Sequence, residues 1–247
     1  MPVAIITGAS SGIGAALARE LHARGWAVGL VARRADLLRQ LADSLGARVA
    51  WVEADVADWE CTRTATTRVE EQLGPCDLLV ANAGLGHGGA AERIDPLAAS
   101  RVFRVNIDGV MNAALAVLPG MIARGAGQLA AVSSLAAVRG MPRAAPYTAS
   151  KAAVTALMES FRLDLAPRGV SVSIIHPGFV ESEMSAKNPF PMPFLMSSQR
   201  AARIIADGLE RRRRRIDFPW QLALLTSLAR IMPDPLYDWV MRRARGP

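Results

Sequence analysis

The chain has 247 residues, of which 51% are hydrophobic and 21% are charged, a composition that excludes an intrinsically disordered protein and allows a large buried core. The formal net charge is +7, and the segment from Arg211 to Pro247, with nine arginines against three aspartates, carries +6 of it. No aromatic-interleaved basic surface or known nucleic-acid reader motif accompanies this segment, so we expect no nucleic acid as a partner.

The cysteines and the N-terminus favour a reducing compartment. Cys61 and Cys76 have neither the spacing of a metal site nor that of a disulfide framework. The opening run MPVAIITGASSG has no basic n-region, and its apolar part is too short for a secretory signal. We therefore expect a cytoplasmic protein.

Seven short apolar runs predict buried parallel strands, because they lack the strict alternation of half-exposed strands. They cover residues 3–7, 27–32, 48–53, 77–82, 127–134, 170–178 and 215–219. Helical patterns that end in glycine lie between the first four, at residues 12–25, 35–46 and 61–74. This alternation predicts an α/β fold, a Rossmann-type doubly wound parallel sheet of about seven strands with helices on both faces. We expect a single domain over residues 1–247.

The first predicted strand leads directly into TGASSGIG, residues 7–14, and then into a helix. Three glycines there, Gly8, Gly12 and Gly14, allow a tight turn and a close approach of the backbone to a pyrophosphate. The N-terminus of the following helix would face the phosphates with its free amides. A glycine-rich turn alone is weak evidence, but its position between a strand and a helix favours a dinucleotide site.

Further motifs follow in chain order: NAG at 82–84, VNIDG at 105–109, SS at 133–134, YTASK at 147–151 and HPGFVES at 176–182. Together with the glycine spacing G-x-x-x-G-x-G, they make residues 1 to about 210 resemble the short-chain dehydrogenase/reductase family. The resemblance implies an oxidoreductase that acts on CH–OH groups with a nicotinamide cofactor, and a homodimer or homotetramer.

The resemblance also implies four catalytic residues. Tyr147 would be the general acid/base, and Lys151, one helical turn later, would lower the pKa of Tyr147 from its ordinary value near ~10 and bind the nicotinamide ribose. Ser134 would bind the carbonyl oxygen of the substrate. Asn106 would hold a proton-relay water, although its amide could instead cap a helix. Neighbouring strand residues face opposite sides, so we expect Ser133 to be a structural hydroxyl.

The expected cofactor is NADP(H), with NAD(H) as the alternative. No acidic residue follows the second strand until Asp36, and Arg33 and Arg34 stand there instead, where a guanidinium can pair with a 2′-phosphate. Arg33 is the stronger candidate, and an exposed surface pair is the competing explanation. The full predicted set of cofactor contacts is Gly8, Ser10, Ser11, Gly12, Ile13, Gly14, Arg33, Arg34, Asp55, Val56, Asn82, Ala83, Gly84, Tyr147, Lys151, Pro177, Gly178, Val180 and Ser182.

The three histidines, His22, His87 and His176, do not form a metal set, and no metal is expected. His87 lies in the glycine-rich run GLGHGG, where it could contact substrate. We expect His176, directly before a Pro-Gly pair, to be structural.

Two segments lie outside the motifs. Residues 185–198 hold three prolines, two phenylalanines and two methionines, which predicts an apolar substrate lid and a hydrophobic carbonyl or alcohol substrate; packing on the tail or on another subunit is the alternative. Residues 219–247 form a basic, apolar extension that could fold back on the site, contact a subunit or lie on an anionic membrane. The rival functions are a non-catalytic dinucleotide sensor and a membrane-docked accessory protein.

Overall fold

The computed structural model describes residues 1–187 and 191–244. In this part of the chain seven parallel strands form one sheet in the order β3-β2-β1-β4-β5-β6-β7. The strands are β1 (Val3–Thr7), β2 (Ala27–Ala32), β3 (Val49–Glu53), β4 (Leu78–Ala81), β5 (Gly127–Val132), β6 (Val170–Pro177) and β7 (Arg215–Phe218). The predicted α/β class is confirmed, and each predicted strand end lies within two residues of its observed position.

The helices connect the strands and flank the sheet. They are α1 (Gly12–Ala23), α2 (Ala35–Leu45), α3 (Trp59–Leu73), α4 (Pro96–Phe103), α5 (Gly109–Arg124), α6 (Ala145–Leu165), α7 (Ser198–Glu210), α8 (Trp220–Ile231) and α9 (Asp234–Ala244). Helix α3 begins two residues earlier than predicted, because the Asp58 side chain accepts a hydrogen bond from the Cys61 amide and caps the helix there.

Alternate residues of the buried strands supply two hydrophobic cores. On one face Ile6 and Leu30 pack with residues of α1, α2 and α7, and on the other face Ile5 and Leu79 pack with residues of α3, α5 and α6. Because neighbouring strand residues point to opposite sides, a run such as Val3–Thr7 must be apolar throughout to fill both cores.

The strand order reverses between β1 and β4, which is where doubly wound sheets bind their ligands. All seven strands run in the same direction, so their carboxyl ends meet along one edge of the sheet. Every predicted motif except the VNIDG stretch directly follows one of these strands or begins the helix after it. The topology therefore brings the predicted site residues to one edge.

Residues Pro96–Arg124 are continuously helical, with the π-helical turn Arg104–Asp108 between α4 and α5. By length and by a mean hydropathy of 1.4 this stretch could span a membrane, but half of its most apolar window is buried. Val110, Ala113 and Val117 belong to the core beneath the sheet. We therefore assign this stretch to helices whose inner face packs in the protein core and whose outer face is exposed.

The predicted lid and the predicted extension differ in what surrounds them. The lid region begins after a short bridge in which Val180 pairs with Met196, with the Glu181 amide 2.9 Å from the Met196 carbonyl oxygen. The extension folds into α8 and α9. Residues 188–190 of the predicted lid (185–198) and residues 245–247 of the predicted extension (219–247) lie outside the described residues.

Candidate active site

The turn after β1 leaves no room for side chains at two of its glycines. Gly8 has a φ of +65°, and a Cβ there would stand 2.7 Å from the Ala83 Cα; a Cβ on Gly14 would stand 2.4 Å from the Gly8 carbonyl oxygen. Asn82 closes the same turn, since its amide nitrogen Nδ2 donates to the Thr7 and Gly8 carbonyl oxygens at 3.0 and 3.2 Å. The β1 turn and the NAG motif are therefore packed together, as a phosphate cradle requires.

Arg34 contacts this turn directly. Its guanidinium donates to the hydroxyls of Ser10 and Ser11, at 3.0 and 2.6 Å for Nη2, and pairs with Glu183 at 2.7 Å. Arg33 instead lies 3.9 Å from the Asp55 carboxylate. In this arrangement Arg34, and not Arg33, stands beside Ser10 and Ser11 of the turn after β1, residues 7–14, which we call the phosphate turn.

The two serines after β5 point in different directions, as the sequence predicts. The Ser133 hydroxyl donates to the Lys151 carbonyl oxygen at 2.8 Å and lies 2.8 Å from the Thr155 hydroxyl, so it faces α6. The Ser134 hydroxyl accepts from the Ala136 amide at 3.1 Å and shares a hydrogen bond with the Tyr147 phenol. The structure thus brings Ser134 and Tyr147 together and turns Ser133 away from them.

Burial is the largest influence on the electrostatics of Tyr147. Burial raises the pKa of Tyr147 above its usual value, and the hydrogen bond with Ser134 opposes this only in part. This raised pKa belongs to the protein without a bound nucleotide, and the lowering of the pKa of Tyr147 by Lys151 stays a prediction. A buried phenol stays protonated at neutral pH and can act as a proton donor.

Lys151 lies one turn after Tyr147 and is 4% exposed. Its ammonium donates to the Val132 carbonyl oxygen at 2.8 Å, and burial lowers its pKa to about 8. The same ammonium lies where a Cβ on Gly84 would meet it at 3.3 Å. Gly84 therefore leaves the space that lets Lys151 reach the carboxyl edge of the sheet between β4 and β5.

Asn106 is fully buried in the π-helical turn. Its Oδ1 accepts from the Leu85 amide at 2.7 Å, while Nδ2 donates to the Leu85 carbonyl oxygen at 3.0 Å and to the Ser150 hydroxyl at 2.9 Å. Oδ1 and Nδ2 are both engaged, by Leu85 and Ser150, so the side chain does not cap a helix, and its role in holding a relay water stays a prediction. It holds the loop after β4 against α6, next to Lys151.

A buried polar chain that sequence reasoning missed supports the same elements. His176 is 1% exposed; its Nδ1 lies 2.7 Å from the Asp217 carboxylate and its Nε2 lies 3.2 Å from the Thr155 hydroxyl. Thr155 continues the chain to Ser133 and to the Lys151 carbonyl oxygen. The chain joins β5, β6, β7 and α6. The expectation that His176 is structural is confirmed by its burial and partners, whereas Thr155 and Asp217 carry no motif that would have marked them.

Asp217 carries the negative charge of this hydrogen-bonded chain of side chains. Burial raises the pKa of the Asp217 carboxyl, but the hydrogen bond from His176, the positive charge of His176 when protonated and Arg215 together outweigh burial and leave that pKa below its usual value. The carboxylate is therefore ionised at neutral pH and orients the imidazole of His176.

The remaining predicted contacts lie on either side of this centre. Gly178 follows Pro177 at the end of β6, and a Cβ there would stand 2.8 Å from Leu222 of α8. Val180 is buried, and Ser182 approaches Gly12, whose Cβ would lie 3.2 Å from the Ser182 Cβ. Ile13 packs on the core, and the Val56 carbonyl oxygen accepts from Asn112 at 2.9 Å.

The loop after β4 and the start of the lid form the rim of the site. A Cβ on Gly86 would meet the Met184 sulfur at 3.2 Å, and the Gly89 amide donates to the Arg143 carbonyl oxygen at 2.8 Å. Between these glycines, the Nε2 atom of His87 is buried without a hydrogen-bond partner among the described residues. Such a group is costly to bury unpaired, which favours the prediction that His87 contacts a ligand.

Comparison with known proteins agrees with this geometry. The family model of the short chain dehydrogenases matches residues 2–190. An uncharacterized oxidoreductase of Myxococcus xanthus is 42% identical over 245 residues, which cover 98% of this chain and 97% of that protein.

Two solved structures show the same fold with bound nucleotide. The alcohol dehydrogenase of the archaeon Thermococcus sibiricus, complexed with 5-hydroxy-NADP, is 30% identical with a TM-score of 0.79, over 88% of this chain and 94% of that one. A short-chain dehydrogenase/reductase of Burkholderia phymatum in complex with NAD is 25% identical with a TM-score of 0.85, over 92% of each chain. With the parallel sheet, the phosphate turn and the Ser–Tyr–Lys cluster in place, the chain belongs to the short-chain dehydrogenase/reductase family of oxidoreductases.

Proposed function

We propose that the protein is an NADP(H)-dependent oxidoreductase that transfers hydride between the nicotinamide and a hydrophobic carbonyl or alcohol. The observation that carries this proposal is the cluster formed by Ser134 after β5, Tyr147 in the first turns of α6 and the buried Lys151 one helical turn later. This cluster lies on the same sheet edge as the phosphate turn, as transfer between a bound nucleotide and a second molecule requires.

The residues present fit the cofactor. The turn at Gly8 and Gly14 is a cradle that any Cβ would fill, and Ser10, Ser11 and Arg34 bring two hydroxyls and a guanidinium together beside it. Hydroxyl and guanidinium donors suit a phosphate. We assign the 2′-phosphate to Arg34 with these serines, and the adenine side to Arg33 and Asp55. Pro177, Gly178, Val180 and Ser182 would border the nicotinamide.

When bound, NADPH supplies the hydride and the oxidised form contributes a positive charge beside Tyr147. In the reductive direction Tyr147 donates its phenolic proton to the substrate oxygen while the new C–H bond forms, and the Ser134 hydroxyl donates a hydrogen bond to the same oxygen. The Lys151 ammonium stabilises the resulting phenolate, because its pKa of about 8 keeps it protonated at neutral pH. The reverse sequence oxidises an alcohol.

Exposed apolar side chains of the loop before α6 and of the lid support a hydrophobic substrate. Met141, Met184, Phe194 and Leu195 are each between 40% and 49% exposed. Met184 adjoins the glycine-rich loop at Gly86, and Met141 lies between Ser134 and Tyr147 in the chain. These side chains would shield a bound carbonyl from water and recognise it by apolar contact.

A panel of aliphatic, cyclic and aromatic carbonyls and alcohols, followed by NADPH and NADH absorbance in parallel, tests the proposal. We expect turnover with NADPH to exceed turnover with NADH. Replacement Arg34→Gln should raise the KM for NADPH by about tenfold or more and leave the KM for NADH within a factor of about two, since only the 2′-phosphate distinguishes the cofactors. Arg33→Gln is the matched control, with a smaller effect. A wild-type preference for NADH would refute the cofactor assignment.

A further inference from the structure

Helix α8 combines an apolar composition with an exposed position. None of its twelve residues is buried, and five of its large apolar side chains stand in solvent. Trp220, Leu224, Leu228 and Ile231 recur at every third or fourth position, so they share one face of the helix. Their exposed fractions are 70%, 54%, 50% and 79%. We call these four residues, with the adjoining Leu225, the α8 stripe.

Helix α9 continues this pattern. Leu236 and Trp239 are 48% and 49% exposed, and the Arg243 guanidinium stacks on the Trp239 ring at 4.0 Å. On the opposite side of α9, Tyr237 is buried and its hydroxyl donates to the Gly140 carbonyl oxygen at 2.7 Å. One side of the helix is thus anchored on the protein, and the other presents an aromatic ring and a cation outward.

Arg139 fixes the two helices in this orientation. Its Nη1 donates to the Ala229 and Met232 carbonyl oxygens, at 3.0 and 2.6 Å, where α8 ends. Its Nη2 pairs with Asp234 at the start of α9, and its guanidinium stacks on Tyr237 at 4.0 Å. The exposure of the stripe is therefore a property of the folded chain, since a partly buried arginine holds both helices against the loop after Ser134.

The charges beside the stripe are complementary to an anionic surface. Helix α8 contains no acidic residue and carries Arg230 near its end, and α9 ends with Arg242 and Arg243. Of the two aspartates of α9, Asp234 is neutralised by Arg139, which leaves Asp238. A second copy that presents the same surface would add its own arginines with only Asp238 to pair with them, so the charge disfavours self-association through this surface.

We propose that the α8 stripe and the exposed face of α9 dock the protein on the surface of an anionic lipid bilayer. Tryptophan and leucine side chains would enter the region between headgroups and acyl chains, while Arg230, Arg242 and Arg243 contact lipid phosphates. Because α8 packs on Gly178 and Arg139 belongs to the loop after Ser134, docking brings the catalytic edge next to the bilayer. A hydrophobic substrate dissolved in the membrane would then lie near the site.

Co-sedimentation of the full chain with lipid vesicles tests the docking. Vesicles of phosphatidylcholine alone should bind weakly, and vesicles that also contain phosphatidylglycerol should bind more tightly, with a difference that disappears at high salt. The double replacement Leu224→Ser and Leu228→Ser should weaken binding by about tenfold or more. The matched control is Leu97→Ser with Leu163→Ser, two leucines that are 83% and 65% exposed on other helices and should leave binding unchanged.

Two further measurements keep the outcomes distinct. Thermal unfolding should show that both double variants fold like the wild type, since all four leucines are exposed. Analytical ultracentrifugation should give the same mass for the wild type and the stripe variant. Equal vesicle binding by the stripe and control variants would overturn the proposal. The proposal would also be overturned if the wild type failed to bind vesicles and the stripe variant sedimented as a smaller oligomer, because the surface would then be a subunit contact.

Discussion

The carboxyl edge of the sheet and the C-terminal helices α8 and α9 differ in which side chains they bury. At the edge, polar groups such as Asn106, Ser133 and His176 are buried and bonded to named partners. In α8, apolar side chains that would normally fill a core are exposed. The first region is completed by the chain's own atoms and a small ligand. The second leaves its apolar side chains in contact with solvent, so the difference between the two regions is the basis for our proposal that a lipid surface covers the second.

The largest expected effect comes from removing the Tyr147 hydroxyl, which tests its chemistry with little change in packing. Tyr147→Phe should lower kcat by about 10²- to 10⁴-fold, because it removes the proton donor and little volume. The chain has only one other tyrosine, Tyr237, so Tyr237→Phe is the matched control and should keep its activity. Steady-state assays with the best carbonyl from the panel measure both. Comparable kcat values for the two variants would show that Tyr147 is not the acid.

Substitution of Lys151 measures how much the buried ammonium lowers the folding stability. Burial lowers its pKa from 10.5 to about 8, so between these values the unfolded chain binds more protons and wild-type stability rises with pH. Below pH 8 the full cost is present. Lys151→Met removes it and should be more stable near pH 7 by up to about 3 kcal/mol, less about 1 kcal/mol for the lost hydrogen bond to Val132. Urea unfolding from pH 7 to 10 should show this gap closing; a constant gap contradicts the assignment.

The hydrogen-bonded chain from Asp217 to Ser133 should affect kcat by holding α6 and the residues after β5 in position. Thr155→Val removes the link between His176 and Ser133, so we expect kcat to fall about tenfold with KM nearly unchanged and a stability loss of about 1–3 kcal/mol. Thr148→Val, on the same helix but bonded only to Ala144 and Ala145, is the control for stability alone. Thr155→Ser should restore kcat. An equal loss of kcat in the Thr148 variant would show that Thr155 contributes to stability and not to the position of the site.

The smallest effect concerns the attachment of the helix pair. Arg139→Gln should lower the free energy of unfolding by about 1–2 kcal/mol, because two carbonyl oxygens, a carboxylate and an aromatic ring lose their shared partner. Hydrogen exchange should speed up in α8 and α9 and stay unchanged in the strands. Arg143→Gln is an exposed control in the same loop. Unchanged exchange in α8 would mean that other contacts hold it.

The sequence predicted the strands well, because a buried parallel strand depends on a short pattern, whereas the Ser–Tyr–Lys cluster was implied by the family resemblance. A continuous apolar run specifies a buried parallel strand wherever it packs, and Tyr147 and Lys151 are neighbours on any helix. The role of Arg34 could not be read in this way, since its partners Ser10, Ser11 and Glu183 come from distant parts of the chain. The same holds for Asn106, whose amide is engaged by Leu85, and for the raised pKa of Tyr147, which depends on burial.

The bridge between Val180 and Met196 has a consequence for how this protein could be redesigned. Both residues are buried, and they pair with each other where the lid leaves β6 and where it returns to α7. The intervening segment is thus a closed insert with fixed end points. Because Ser182 and Glu183 adjoin the phosphate turn, a change of substrate range is better sought at the exposed residues Met184, Phe194 and Leu195 between the two bridge residues, where substitution leaves the bridge and the sheet in place.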